Sequence, residues 1–116
     1  MSEITLYHNP RCSKSRQTLA LLQDRGIEPE IIEYLKTPPD ATAITGLLDK
    51  LGIRAIELIR RKEAPFAELD LASSQDNDAA LIAAMALNPI LIERPIVVAG
   101  EDARIGRPPE AVLDIL

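Results

Sequence analysis

Within its first 35 residues the chain passes from a strand-like run through a helix-like run into a second strand-like run, an order that leaves few topologies open. Glu3 to Tyr7, "EITLY", alternates polar and apolar residues and includes β-branched ones, the period of a half-buried strand. Asn9-Pro10 is a turn signal. From Ser13 to Gly26 the residues Leu19, Leu21 and Leu22, with the small Ala20, fit one helix face, and Gly26 supplies the C-terminal stop. "EIIEYL", Glu30 to Leu35, reads as a second strand between Pro29 and Pro38-Pro39. Two strands joined by a crossover helix are expected to run parallel. The loop leaving the carboxyl end of the first strand is then where an open α/β sheet binds ligands.

The middle of the chain changes character. Asp40 is a good N-cap for "ATAITGLLDKLG", which ends at Gly52. "RAIELIRRK" reads as another helical segment and "EAPFAELDL" as a turn with a short helix. Asp76 to Asn88 places Leu81, Ile82, Ala84 and Met85 at helical spacing before the stop at Asn88-Pro89. Strands return with "PIVVA", Pro95 to Ala99, followed by a turn at Gly100-Glu101-Asp102 and the short partner "ARI". Pro108-Pro109 opens a last helix, "PEAVLDIL". The expected class is α/β: a mixed sheet built from β-α-β and then β-β-α, with a helical insertion at about 40–88, in one domain spanning 1–116.

The loop after the first strand, "YHNPRCSKSR", holds the only cysteine, Cys12, and the only histidine, His8. If the helix begins near Ser13, Cys12 sits at its N-terminus, where unpaired N–H groups and the helix dipole favour an anion. A thiol there is more often a thiolate. The Ser15 hydroxyl and the neighbouring backbone N–H groups are candidate donors to the sulfur, and Arg11, Lys14 and Arg16 add positive charge. His8 is placed either to share that network or simply to brace the turn. A lone cysteine commonly packs as a small hydrophobe; here its neighbours are Arg, Ser and Lys, which favours reactivity. Ser13 and Ser15 also suit a helix start, and Lys14 suits a solvated face.

Arg94 and Arg107 each precede a proline at the edge of an element. Guanidinium groups bind tetrahedral oxyanions through paired N–H donors, which lysine cannot copy. With a thiolate they suggest an oxyanion site, completed by an arginine of the helical block. A tyrosine-phosphatase loop needs arginine six positions after the cysteine, where this chain has Thr18, and a dithiol redox motif needs cysteine where it has Ser15. One cysteine makes neither a disulfide framework nor a zinc site, so any disulfide step uses an external thiol. Neither a metal nor a bound cofactor is expected, since ligand clusters and glycine-rich phosphate loops are missing. A net charge of −5 argues against nucleic acid and anionic membranes as partners. No run approaches the ~18 apolar residues of a bilayer span, and no secretory signal is visible. A reducing cytoplasm is the expected compartment.

Five ordered motifs, "YHNPRCSKSRQTL", "EYLKTPPD", "ELIRRKE", "NPILIERPIVV" and "RIGRPPEAVLDIL", resemble the glutaredoxin-coupled arsenate reductase family over nearly the whole chain. The resemblance implies a thioredoxin/glutaredoxin-like sheet with a helical insertion. It implies that Cys12 attacks arsenate to form a sulfur–arsenic adduct, that His8 supports the low thiol pKa, and that the Ser15 hydroxyl donates to the sulfur. It also implies anion binding by Arg60, Arg94 and Arg107; Arg60 is chosen over the adjacent Arg61 by its spacing from "APF". Glutathione then acts as external reductant and glutaredoxin reduces the mixed disulfide. The short form resembles an arsenate-reductase-like subgroup, related to Spx-type regulators that bind RNA polymerase. A binding or regulatory protein with a redox-sensitive thiol, or a monothiol oxidoreductase, are therefore the alternatives.

Overall fold

A computed structural model describes residues 4–116. It divides into two compact units, one made of the chain up to Thr37 together with Arg94–Leu116, the other of Pro38–Glu93.

The first unit carries the sheet. β1 (Ile4–His8) is followed by the helix α1 (Ser13–Asp24) and β2 (Glu30–Glu33), and after the second unit come β3 (Ile96–Ala99) and β4 (Asp102–Ile105). The described residues form one four-stranded sheet in the order β2-β1-β3-β4. β1 runs parallel to β2, placing His8 beside Glu33, and antiparallel to β3; β3 and β4 form the expected hairpin. Successive strand side chains point to opposite faces, so Ile4, Leu6 and His8 share the buried face of β1. Ile4 and Leu6 pack there with Leu22 of α1, Val97 of β3 and Val112, and Leu19, Leu21 and Ile27 close around them. That packing explains the helix: its Leu positions face the sheet, while Gly26 ends it with φ +75, a left-handed conformation that glycine adopts without cost.

Two expectations are corrected in detail, and a third falls outside the described residues. The second strand stops at Glu33, because Tyr34–Lys36 turn away, with Lys36 N–H donating to Glu33 O at 2.9 Å. The last helix is a 3-10 helix over Pro109–Ile115 and packs against α1 and β4. Glu3, expected to open the first strand, lies outside the described residues.

The second unit contains α2 (Ala41–Leu51), α3 (Ala55–Leu58), α4 (Ala64–Glu68) and α5 (Asp78–Leu87). Asp40 caps α2, its Oδ1 accepting from Ala43 N–H at 2.8 Å, and Gly52 closes it with φ 69. Ile44, Leu47 and Leu48 of α2 and Leu81, Ala84 and Met85 of α5 are buried where these helices meet others of the unit. Asn77 caps α5 through Ala80 N–H at 3.1 Å. "RAIELIRRK" is helical only to Leu58: Ile59 turns extended and pairs with Ile92, with Arg60 N–H donating to Leu91 O at 2.7 Å and Glu93 N–H to Leu58 O at 2.9 Å. Among the described residues no helix is long and apolar enough to cross a membrane.

Candidate active site

The loop between β1 and α1 is built by its own hydrogen bonds. Asn9 O accepts from Cys12 N–H at 2.9 Å, closing a turn across Pro10 and Arg11, and Asn9 Oδ1 accepts from Arg11 N–H at 3.0 Å. Cys12 takes the N-cap position of α1 in extended conformation, and its carbonyl accepts the first helical bond, from Arg16 N–H at 3.0 Å. The sulfur therefore stands over the open N–H groups of the first turn. No side chain caps that end of the helix. The thiol is only partly buried and free of any disulfide.

Two arginines meet it. The Arg107 Nη2 lies 3.6 Å from Cys12 Sγ, and the Arg107 Nε donates to Arg94 O at 2.8 Å, which ties the two arginine loops together. The Arg94 guanidinium donates to the sulfur, with its Nε and Nη1 shut off from solvent. Both Arg94-Pro95 and Arg107-Pro108 are cis peptides. Partial burial works to raise the Cys12 thiol pKa. Hydrogen bonds from Ser15 N–H, the Arg94 side chain and Lys14 N–H, together with the Arg94 charge, outweigh it, so the thiol stands below its ordinary value.

Ser15 reaches the sulfur through its backbone, and its hydroxyl is used elsewhere. Ser15 is fully buried; Oγ shares a 2.6 Å hydrogen bond with His8 Nδ1 and accepts from Asn9 N–H at 3.0 Å. The expectation that the hydroxyl serves the sulfur is corrected accordingly: it locks the strand end to the helix start. His8 is buried at 6% exposure, and burial lowers its pKa, Arg16 adding to this and Glu33 opposing it. A neutral ring suits the bond to Ser15.

Asn9, Lys14 and Glu33 contribute more to the site than their residue types announce. Asn9 is a turn residue by type, yet its side chain, N–H and carbonyl all organise the loop. Lys14 acts through its N–H rather than its ammonium group. Glu33 faces His8 only by strand register, which no local pattern announces. Arg60 belongs to the helical unit, where its Nη1 donates to Glu93 Oε1 at 2.7 Å and its Nε to Glu63 Oε2 at 3.2 Å. The antiparallel pairing of Ile59 with Ile92 sets Arg60 opposite Leu91 and Glu93 opposite Leu58, and the Arg60 side chain reaches diagonally across to the Glu93 carboxylate. Among the described residues no group of three or more His, Cys, Asp or Glu side chains is placed to hold a metal ion.

A thiolate held by amide N–H groups and guanidiniums can attack an electrophilic centre whose oxygens carry negative charge. Known proteins share this frame. The chain is 56% identical over 115 residues to the uncharacterized protein YfgD of Escherichia coli K12, covering 98% of this chain and 97% of that protein. It is 47% identical over 113 residues to a protein named arsenate reductase from Rhizobium meliloti, covering 97% of this chain and 81% of the relative. A solved structure described as arsenate reductase from Vibrio cholerae superposes with a TM-score of 0.95 at 52% identity, covering 98% of both chains. The mixed sheet is the thioredoxin-like one expected from the sequence. The ArsC family model matches residues 7–115, which includes His8, Cys12, Ser15, Arg94 and Arg107, and the chain belongs to the ArsC family.

Proposed function

We propose that the protein is an arsenate reductase whose nucleophile is Cys12. The observation that carries this reading is the convergence of the Arg107 and Arg94 side chains on a thiol whose pKa is lowered. The reaction class agrees with the names of relatives at 47% identity and of the solved structure at 52%.

The steps follow from the chemistry of the groups present. The Cys12 thiolate attacks arsenic(V), a sulfur–arsenic bond forms, and one arsenate oxygen leaves as water after protonation. Arg94 and Arg107 hold the remaining oxygens through guanidinium N–H donors, and the N–H groups at the start of α1 keep the sulfur anionic before attack. A second thiol then attacks Cys12 Sγ. The sulfur–sulfur bond forms as the sulfur–arsenic bond breaks, and its electron pair leaves with arsenic as arsenite. A further thiol reduces the mixed disulfide.

We assign glutathione as the attacking thiol, glutaredoxin as the protein that clears the mixed disulfide, and the cytoplasm as the setting. The single cysteine supports an external-thiol route, since the chain has no partner for an internal disulfide. His8 and Ser15 hold the loop, and the resemblance assigns Arg60 to anion binding as well.

Arsenite release from arsenate is measured with glutathione and glutaredoxin, for the wild type beside Cys12→Ser. Turnover by the wild type and none by the variant is the expected result. No turnover by a wild type whose thiol still alkylates readily would overturn the arsenate reading and move the site to thiol exchange or regulation.

A further inference from the structure

Gly106 differs from the other glycines of the chain. Gly26, Gly52 and Gly100 have positive φ and open space where a side chain would stand, and Gly46 also has open space. Gly106 has no such backbone requirement. A Cβ there would lie 2.6 Å from Thr18 Oγ1 and 2.8 Å from Pro95 Cγ, well inside the ~3.5 Å at which such atoms come to rest. Glycine is needed at this point for close approach alone.

The groups that meet at Gly106 each lead to the site. Thr18 is a fully buried residue of α1, and its Oγ1 donates at 2.9 Å to the carbonyl of Lys14, whose N–H serves the sulfur. Pro95 follows Arg94 directly, and Pro95 O accepts from Gly106 N–H at 2.9 Å. Arg107 follows Gly106 directly. So the helix that carries Cys12 and both arginine loops touch across one missing side chain.

Resting on the reading of Cys12 as a nucleophile, we propose that Gly106 is a positioning residue for the thiolate site: its lack of a side chain lets α1 and Pro95 close on one point, and that seam sets the Arg94 and Arg107 guanidiniums at the Cys12 sulfur. The Arg107 Nη2 contact with Sγ is long, at 3.6 Å, so a shift of a fraction of an ångström is enough to break it. Displacements of about 1 Å at reacting groups cost on the order of a hundredfold in rate.

The test uses the full chain as wild type, Gly106→Ala, the double variant Gly106→Ala with Thr18→Ala, and Gly46→Ala as the control for a methyl added in open space. Circular dichroism checks folding, iodoacetamide alkylation across pH reads the thiolate, and arsenite release reads KM and kcat for arsenate. Gly106→Ala is expected to fold, to alkylate about tenfold more slowly at a pH below the wild-type alkylation midpoint, where thiolate fraction sets the rate, and to raise the arsenate KM about tenfold. The double variant, relieved of the Thr18 contact while the 2.8 Å approach to Pro95 Cγ remains, is expected to recover part of the alkylation rate and to react faster than Gly106→Ala alone. A folded Gly106→Ala that matches the wild type in alkylation profile and KM overturns the proposal, as does a double variant that recovers nothing. If Gly106→Ala does not fold, the double variant decides; if neither folds, the seam serves folding and the proposal fails. Absence of arsenate turnover in the wild type would remove the arsenate reading, while the alkylation comparison still judges Gly106.

Discussion

Ser15→Ala separates the two ways in which Ser15 can serve the cysteine. The hydroxyl is fully buried and satisfies two groups, His8 Nδ1 at 2.6 Å and Asn9 N–H at 3.0 Å. Removing it leaves both without that partner, and an unsatisfied buried group costs about 1–3 kcal/mol. Small relaxation at the strand end recovers part of this, so the loss is set at about 2–4 kcal/mol. For a domain of this size that lowers the melting temperature by roughly 8–16 °C, since about 1 kcal/mol corresponds to about 4 °C. The thiol is expected to change little, because Ser15 reaches the sulfur through its N–H, which alanine keeps. Thermal unfolding by circular dichroism and the pH midpoint of iodoacetamide alkylation read the two effects separately. A stable variant whose alkylation midpoint rises by a full unit would refute the reasoning, because it would place the hydroxyl on the sulfur.

Further perturbations address the rest of the molecule. Leu22→Ala empties a fully buried position between α1 and the sheet and should cost ~2–5 kcal/mol in denaturant unfolding; a near-neutral result would contradict that packing. Asp40→Ala removes the bond to Ala43 N–H and should cost about 1 kcal/mol, read as a lower urea midpoint with unchanged slope. His8 has a folded pKa below its ordinary value, so its contribution to stability is present above about pH 6.5 and is lost as pH falls through the lowered value. His8→Asn should therefore flatten the fall in melting temperature as pH drops below about 6.5, and an unchanged slope would count against a buried neutral ring.

Much of the site was legible because its signals are local. Cysteine before a run of helix-forming residues reads as an N-terminal thiol, and it is one, at the N-cap of α1. Asp40 and Gly52 bound α2 by side-chain and backbone preferences that need no partner. The arginine-proline pairs stood out by type, and the fold brings both arginines to the sulfur. Where a partner distant in sequence decides, the local reading fell short. "RAIELIRRK" has helical propensity throughout, yet Ile59 leaves the helix to pair with Ile92 across 33 residues. The Ser15 hydroxyl reads as a donor to the nearby thiol, yet His8 Nδ1 at the end of β1 and Asn9 N–H in the loop after it take that hydroxyl.

Residue type and short-range spacing thus determined the chemistry available: one thiol at a helix start, arginines at the edges of elements, and strands that alternate along one face. Tertiary structure decided which of those groups meet. Parallel pairing set Glu33 beside His8, and antiparallel pairing brought β3 and β4 to the centre and edge of the sheet. The missing side chain at Gly106 let the Cys12 helix approach Pro95. Such contacts depend on distances between residues far apart in the chain, set only when the core packs, and periodicity carries no record of them.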